Sequence, residues 1–176
     1  MKIVKCDDAG LESAAAVLLA GGVAVIPTDT VYGLAAHPGF PAAVDRLYTI
    51  KGREAKKPIA MLASDAAATP VRHPLAEMWP GGLTIVFAGE GYRVPDHDWT
   101  RRLLAKCGGL LRVTSANLSG QRAATDAPQA LADVGLSADI VVDGGVSPGG
   151  VPSTVVKVEG SQVEILRQGA VTIPAI

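Results

Sequence analysis

The chain has 176 residues, 48% of them apolar, 19% charged and only 4% aromatic, with a formal net charge of −1. That length suits one domain able to bury about two-thirds of its unfolded surface, and the balance excludes a disordered chain and the global basic field of a sequence-independent nucleic-acid binder, leaving only a local basic cleft open. Cys6 and Cys107 have no metal-ligand spacing, which argues against structural zinc and points to free or buried thiols in a reducing compartment.

In chain order, Asp7 or Asp8 caps a predicted helix over residues 9–20, stopped by Gly21-Gly22. The uncharged stretch 13–28 is divided by those glycines and is too short on its helical side to span a membrane. Asp7, Asp8 and Glu12 stand where an export signal is positive, so a cytoplasmic protein is expected. A buried strand follows at 23–26, and Pro41 opens a helix toward residue 50 with Val44, Leu47 and Tyr48 as its inward stripe. Short strands are predicted at 58–62 and 83–87, with a brief helix at 75–79 between them. Residues 93–95 read as an edge segment because Pro95 cannot donate to a central ladder. A helix at 99–106, a strand at 110–114, a helix at 128–134 and strands at 140–142, 153–158 and 163–166 complete the pass. Strand and helix alternate, no repeat or linker divides the chain, and small apolar residues dominate the core. One α/β domain is expected, 1–176, with a twisted, largely parallel or mixed sheet, flanking helices and a concave basic cleft.

Four strands empty into polar residues. The strand at 23–26 runs into Pro27-Thr28-Asp29-Thr30-Val31-Tyr32-Gly33-Leu34, which taken alone reads equally well as an ordinary polar turn. The strand at 110–114 delivers Thr114, Ser115 and Asn117, a third delivers Ser153 and Thr154, and the last delivers Arg167. Strand ends of α/β sheets are where ligands bind. With the cationic run Lys51-Gly52-Arg53-Glu54-Ala55-Lys56-Lys57, the implied ligand is anionic, since Lys and Arg offset phosphate or carboxylate charge and hydroxyls orient it. A charge run by itself is more often a solvated loop. Gly52, lacking a Cβ, favours the alternative that backbone approaches a ligand there.

Several chemistries are excluded by inspection. There is no GxxxxGK[ST] loop, no GxGxxG after a strand, and Ser115 lies in TSAN rather than GxSxG. His37, His73 and His97 are far apart and in no HExxH pattern; His97 follows Arg93 closely enough to visit the cleft. Without an evident nucleophile or activated base, catalysis rests on positioning and charge stabilisation.

The motifs PTDTVYGL (27–34), KGR (51–53) with Lys57-Pro58, WPGGLT (79–84), RVPDH (93–97), TSANLSG (114–120), PSTVV (152–156) and ILRQG (165–169) occur in one order over nearly the whole chain. In them the chain resembles the YrdC/Sua5 family of threonylcarbamoyl-AMP synthases. The resemblance implies a YrdC/RibB-like fold and formation of L-threonylcarbamoyl-AMP and pyrophosphate from L-threonine, bicarbonate and ATP. A separate transferase complex would then modify tRNA. It implies Lys51, Arg53 and Lys57 as the basic set for ATP phosphates and carbonate. Thr28, Thr30, Tyr32, Arg93, Ser115 and Ser153 are implied around threonine, and Asn117, Thr125 and Arg167, with Arg53 and Lys57, around the nucleotide. Mg²⁺ is implied with ATP, although no dedicated carboxylate cage is visible.

The chain departs from the family pattern at Glu54, where many relatives have Pro, and at Leu62, where some have His. Arg112 stands where an apolar or small residue is expected; it shares a face with Thr114, and whether it lines the bowl or reaches solvent is open. The chain ends soon after Arg167-Gln168-Gly169, so the short, YrdC-like form is expected. Two other readings compete: a non-catalytic RNA-binding or ribosome-assembly factor with weak RNA contact, and a carbamoyl-transfer domain like that of hydrogenase-maturation proteins. Scarce aromatics and near-neutral charge weigh against the first.

Overall fold

The computed structural model describes residues 1–52 and 57–175. Among these, the helices are α1 (Asp8–Leu19), α2 (Pro41–Lys51), α3 (Asp98–Lys106) and α4 (Ala127–Asp133). The strands are β1 (Lys2–Lys5), β2 (Val23–Ile26), β3 (Gly33–Ala36), β4 (Met61–Ala63), β5 (Leu83–Phe87), β6 (Glu90–Arg93), β7 (Leu110–Ser115), β8 (Ile140–Asp143), β9 (Thr154–Glu159) and β10 (Gln162–Arg167). They form one sheet in the order β1-β8-β2-β3-β7-β4-β6-β5-β9-β10.

Side-chain alternation along β2 sets the layers. Ala24 and Ile26 pack with Leu11, Ala14 and Leu18 of α1 and Leu103 and Leu104 of α3 on one face. Val23 and Val25 pack with Ala43 and Leu47 of α2 and Ala127 and Ala130 of α4 on the other. All four β2 residues are buried, so the strand reads as a continuous apolar run. A third cluster, built on Leu83, Ile85, Val156 and Val158, closes the β5–β9 end of the sheet.

Local chemistry sets the element ends. Asp7 caps α1 by accepting from the Gly10 N–H at 2.8 Å. Pro41 starts α2, and Gly52 stops it in the left-handed region at φ 64°. Among the described residues nothing lies within 4 Å of where a Cβ at Gly52 would stand, and its left-handed backbone conformation accounts for this glycine.

The sheet departs from the sequence expectation in its connectivity. β2 and β3 form an antiparallel pair joined by residues 27–32, and β3 continues antiparallel to β7. The PTDTVYGL segment is therefore a hairpin loop and the start of a strand, rather than an exit toward a helix. β6 is an interior strand, parallel to β4 and antiparallel to β5; Pro95 lies beyond its end and removes no ladder hydrogen bond. The segment 75–79 is a 3₁₀ turn at Pro74–Met78 rather than an α-helix. Parallel pairs (β1–β8, β2–β8, β4–β6, β5–β9) occur beside antiparallel ones, which makes the sheet mixed.

Candidate active site

The central strands β3, β7, β4, β6, β5 and β9 carry a cavity of about 320 Å³ at one end, within the range of small-molecule sites. Residues from these strands, from β10 and from the loops between them meet there.

The 27–32 loop is fixed from outside itself. Thr100 Oγ1 of α3 donates to Pro27 O at 2.7 Å, and Tyr32 N donates to Ala124 O at 2.9 Å. Gly149 N and Gly150 N donate to Asp29 O and Thr30 O at 3.0 and 2.8 Å. A Cβ on Gly149 would stand 2.7 Å from Asp29 O, so this close approach requires glycine. Within the loop, Thr28 Oγ1 donates to Val31 O at 2.6 Å and accepts from Thr30 N at 3.2 Å, which turns the chain and leaves Thr30 Oγ1 3.2 Å away. Thr28 and Thr30 both line the cavity.

Tyr32 borders the cavity, but its phenol is committed elsewhere, donating to Gly145 O at 2.7 Å and accepting from Gly144 N at 2.9 Å. Burial pushes its pKa up to about 12, so it is a neutral strut between the 27–32 loop and the loop after β8.

Arg93 is buried at the end of β6. Its Nε donates to Gly81 O at 2.9 Å, and its Nη2 pairs with Asp29 Oδ1. Burial lowers its pKa and the Asp29 carboxylate opposes that shift, so the guanidinium stays charged. Arg167 donates through Nε and Nη2 to Ser153 O at 3.0 and 2.8 Å, and Nη2 lies 3.2 Å from Ser153 Oγ. Ser153 Oγ in turn lies 2.8 Å from Thr84 Oγ1. Among the described residues, Nη1 of Arg93 and Nη1 of Arg167 donate to no protein acceptor. Two cationic donors thus border one cavity, with Asp29, among the described residues, as the single carboxylate bound to either.

Of the residues singled out from sequence, Thr28, Thr30, Tyr32, Arg93, Ser115, Ser153 and Arg167 border this cavity. Lys51 does not. It is buried at the end of α2, where Nζ donates to Ser115 O and Asn117 O at 2.7 and 3.0 Å and Ser119 N donates to Lys51 O. This arrangement makes Lys51 the pin of the TSANLSG turn, which holds Ser115 at the wall. Asn117 lies behind that turn, its Nδ2 donating to Leu118 O and Gln121 O, while its buried Oδ1 has no partner among the described residues. Thr125 lies at the start of α4, bonded to Gln129 Oε1 through N and Oγ1. Lys57 is exposed beside the lining residue Pro58, and Arg53 lies outside the described residues.

His97 stays outside the lining. It caps α3, its Nδ1 accepting from Thr100 N at 3.3 Å, and burial pushes its pKa down, which favours that neutral acceptor form. Burial pushes both thiols up to about 11, so neither cysteine is a ready nucleophile. Among the described residues no three His, Cys, Asp or Glu side chains converge as metal ligands, and no helix is long and apolar enough to cross a membrane.

Sequence reasoning overlooked Asp29 and Thr84. Both sit inside motifs it quoted, but their roles come from residues 64 and 69 positions away, Arg93 and Ser153.

A family model for Sua5, YciO and YrdC proteins, described as telomere recombination, matches residues 16–169. A Mycobacterium leprae protein provisionally named a threonylcarbamoyl-AMP synthase is 32% identical over 190 aligned residues, covering 95% of this chain and 86% of its own length. The mouse threonylcarbamoyl-AMP synthase is 35% identical over 156 residues, with coverage of 77% and 55%. Among solved structures, P. abyssi Sua5 complexed with L-threonine superposes with a TM-score of 0.88 at 27% identity, over 96% of this chain and 58% of that one. The chain thus spans just over half the length of the last two proteins.

Proposed function

The chain belongs to the Sua5/YciO/YrdC family, and on that premise we propose that it forms L-threonylcarbamoyl-AMP and pyrophosphate from L-threonine, bicarbonate and ATP. The relatives named as threonylcarbamoyl-AMP synthases, and the likeness to a Sua5 bound to L-threonine, support this reading. The observation that carries it is the pair of uncommitted guanidinium donors, Arg93 Nη1 and Arg167 Nη1, bordering a cavity that also presents Thr30, Ser115 and Ser153.

The chemistry needs this arrangement. The threonine amine attacks the bicarbonate carbon and water leaves; a carbamate oxygen then attacks the α-phosphorus and pyrophosphate leaves. Threonine carboxylate, bicarbonate and triphosphate repel one another, so the obstacle is bringing them into line. Arg93, held by Asp29 and Gly81 O, meets the threonine carboxylate, with Thr28, Thr30, Ser115 and Ser153 around the amino acid. Arg167 meets the adenylate, and Lys57 and Arg53 meet the phosphates. Each charge-assisted contact contributes roughly 1.5–3 kcal/mol. Asn117 and Thr125 are assigned to the nucleotide side. Mg²⁺ enters with ATP as the counter-ion of its phosphates. The product passes to a tRNA threonylcarbamoyl transferase complex in the cytoplasm.

The test is incubation with ATP, Mg²⁺, bicarbonate and L-threonine, with the mixed anhydride followed by mass spectrometry. Omitting threonine or bicarbonate abolishes the product on this reading. Pyrophosphate release independent of threonine, or product formed from carbamoyl phosphate without threonine, would overturn it.

A further inference from the structure

Arg112 is a partly shielded cation of the sheet to which the proposed chemistry gives no role. It lies in β7, paired with Ala36 on one side and Met61 on the other. β4 begins only at Met61; just before it, Pro58, Ile59 and Ala60 pass beside β7, and Val113 N donates to Ala60 O at 3.0 Å. The guanidinium reaches over this passage. Nη1 donates to Ile59 O at 2.8 Å and to Glu90 Oε2 at 2.6 Å, while Nη2 donates to Glu90 Oε1 at 2.9 Å. Glu90 opens β6 immediately after the two-residue turn Ala88-Gly89, in register with Phe87.

One side chain thereby ties three segments, and all three border the cavity. Thr114 and Ser115 follow Arg112 on β7, Pro58, Ile59 and Ala60 form the second segment, and Gly89 and Gly91 flank Glu90. The pair is partly shielded, with side-chain exposures of 21% and 40%. The planar guanidinium grips both carboxylate oxygens through two nitrogens while also donating to a carbonyl, a fixed geometry a lysine ammonium lacks. Among the described residues, the other titratable groups facing it are Tyr48 of α2 and Tyr92 of β6.

We infer that Arg112, locked by Glu90, is a positioning residue that fixes where the chain re-enters the sheet from its basic segment, and so how Lys57 and Pro58 meet the phosphates of ATP. This rests on the reading of that segment as the phosphate-handling one. On the threonine side, the 27–32 loop and Ser153 are anchored elsewhere, by Thr100, Gly149, Gly150 and Thr84, while Ser115 and Arg93 lie three residues along β7 and β6 from the strut.

The test compares wild type with Arg112→Met, Arg112→Lys, Glu90→Gln and the exchange Arg112→Glu/Glu90→Arg, measuring ATP and threonine affinities by calorimetry, turnover, and Tm. Arg112→Met weakens ATP binding about tenfold, the loss of a charge-assisted contact, while threonine affinity falls clearly less, because the 27–32 loop and Ser153 keep their own anchors. Arg112→Lys recovers part of the ATP affinity. The exchange recovers Tm but not ATP affinity, because a glutamate at 112 cannot donate to Ile59 O. Unchanged ATP affinity in Arg112→Met, equal losses for both ligands in step with Tm, or recovery of ATP affinity by the exchange would each overturn the inference. Wild-type protein that binds ATP but makes no threonylcarbamoyl-AMP would overturn the functional reading alone; failure to bind ATP would overturn both.

Discussion

Arg93 and Asp29 show how a buried ion pair is used at a binding wall. Their side chains are 7% and 12% exposed, so the pair is held largely out of water. A buried pair of this kind contributes little net stability against an apolar replacement, but removing one partner strands the other. Asp29→Ala is therefore expected to destabilise the protein by about 3–5 kcal/mol in chemical denaturation, and Asp29→Ala/Arg93→Ala by clearly less than the sum of the single changes. Arg93→Lys keeps charge but cannot hold Asp29, Gly81 O and a carboxylate at once, so KM for threonine should rise at least about tenfold with a smaller change for ATP. Thr84→Val removes the hydroxyl beside Ser153 Oγ and should cost roughly 1 kcal/mol of stability, while loosening Ser153 as a ligand contact. At this scale the sequence displayed the residue types of the site but not their commitments. Lys51 and Tyr32 looked like ligand residues because each sits in a motif among polar neighbours. Their functional atoms point instead into Ser115 O, Asn117 O and the Gly144-Gly145 turn.

Elements with a strong local signal were legible, and those defined by partners were not. β5 needs only its apolar, β-branched run, and its predicted and observed bounds coincide at Leu83–Phe87; β2 and the helices were legible through Gly and Pro punctuation in the same way. β1 is half charged, with burial confined to one face of Val4, and exists because β8 offers a parallel edge. β3 is Gly-Leu-Ala-Ala, a sequence with no strand preference of its own, and is held between β2 and β7. Missing β3 turned a hairpin loop into an apparent strand exit, although the loop still supplies the expected threonines. Because that loop is braced by the 144–152 segment, the brace is as much a part of the site as the loop. Gly149→Ala drives a Cβ against Asp29 O, a backbone atom that cannot swing aside. The expected loss is about 1–3 kcal/mol of stability, with a drop in threonine affinity larger than that of Thr100→Val, which removes the tie from α3 to Pro27 O and leaves the backbone path unchanged.

Across the whole molecule, carboxylates held below their usual range link distant parts of the sheet, and this fixes the direction of its acid sensitivity. Asp139, just ahead of β8, accepts from Arg46 of α2 at 2.7 Å and from Val23 N at the start of β2 at 2.8 Å; the Arg46 hydrogen bond is the main cause of its lowered pKa. Glu90, at the far side of the site, is lowered chiefly by its hydrogen bond from Arg112. A carboxyl whose folded pKa is depressed binds its proton more readily in the unfolded chain. Its stabilisation is complete above the unfolded value, near 4, and is lost as pH falls through the folded one. Tm should therefore be level from pH 7 to about 5 and fall steeply below about 4. Both pairs are partly solvated, so the effect of each is modest: Asp139→Asn should lower stability by about 0.2–1 kcal/mol at pH 7, a Tm change of at most about 2–4 °C. That deficit should shrink as the pH falls through the lowered pKa of the folded carboxyl, where the wild-type carboxyl itself takes up its proton. A deficit for Asp139→Asn that stayed constant from pH 7 to 3 would show that Asp139 acts through its shape and its hydrogen bond to Val23 rather than through its charge.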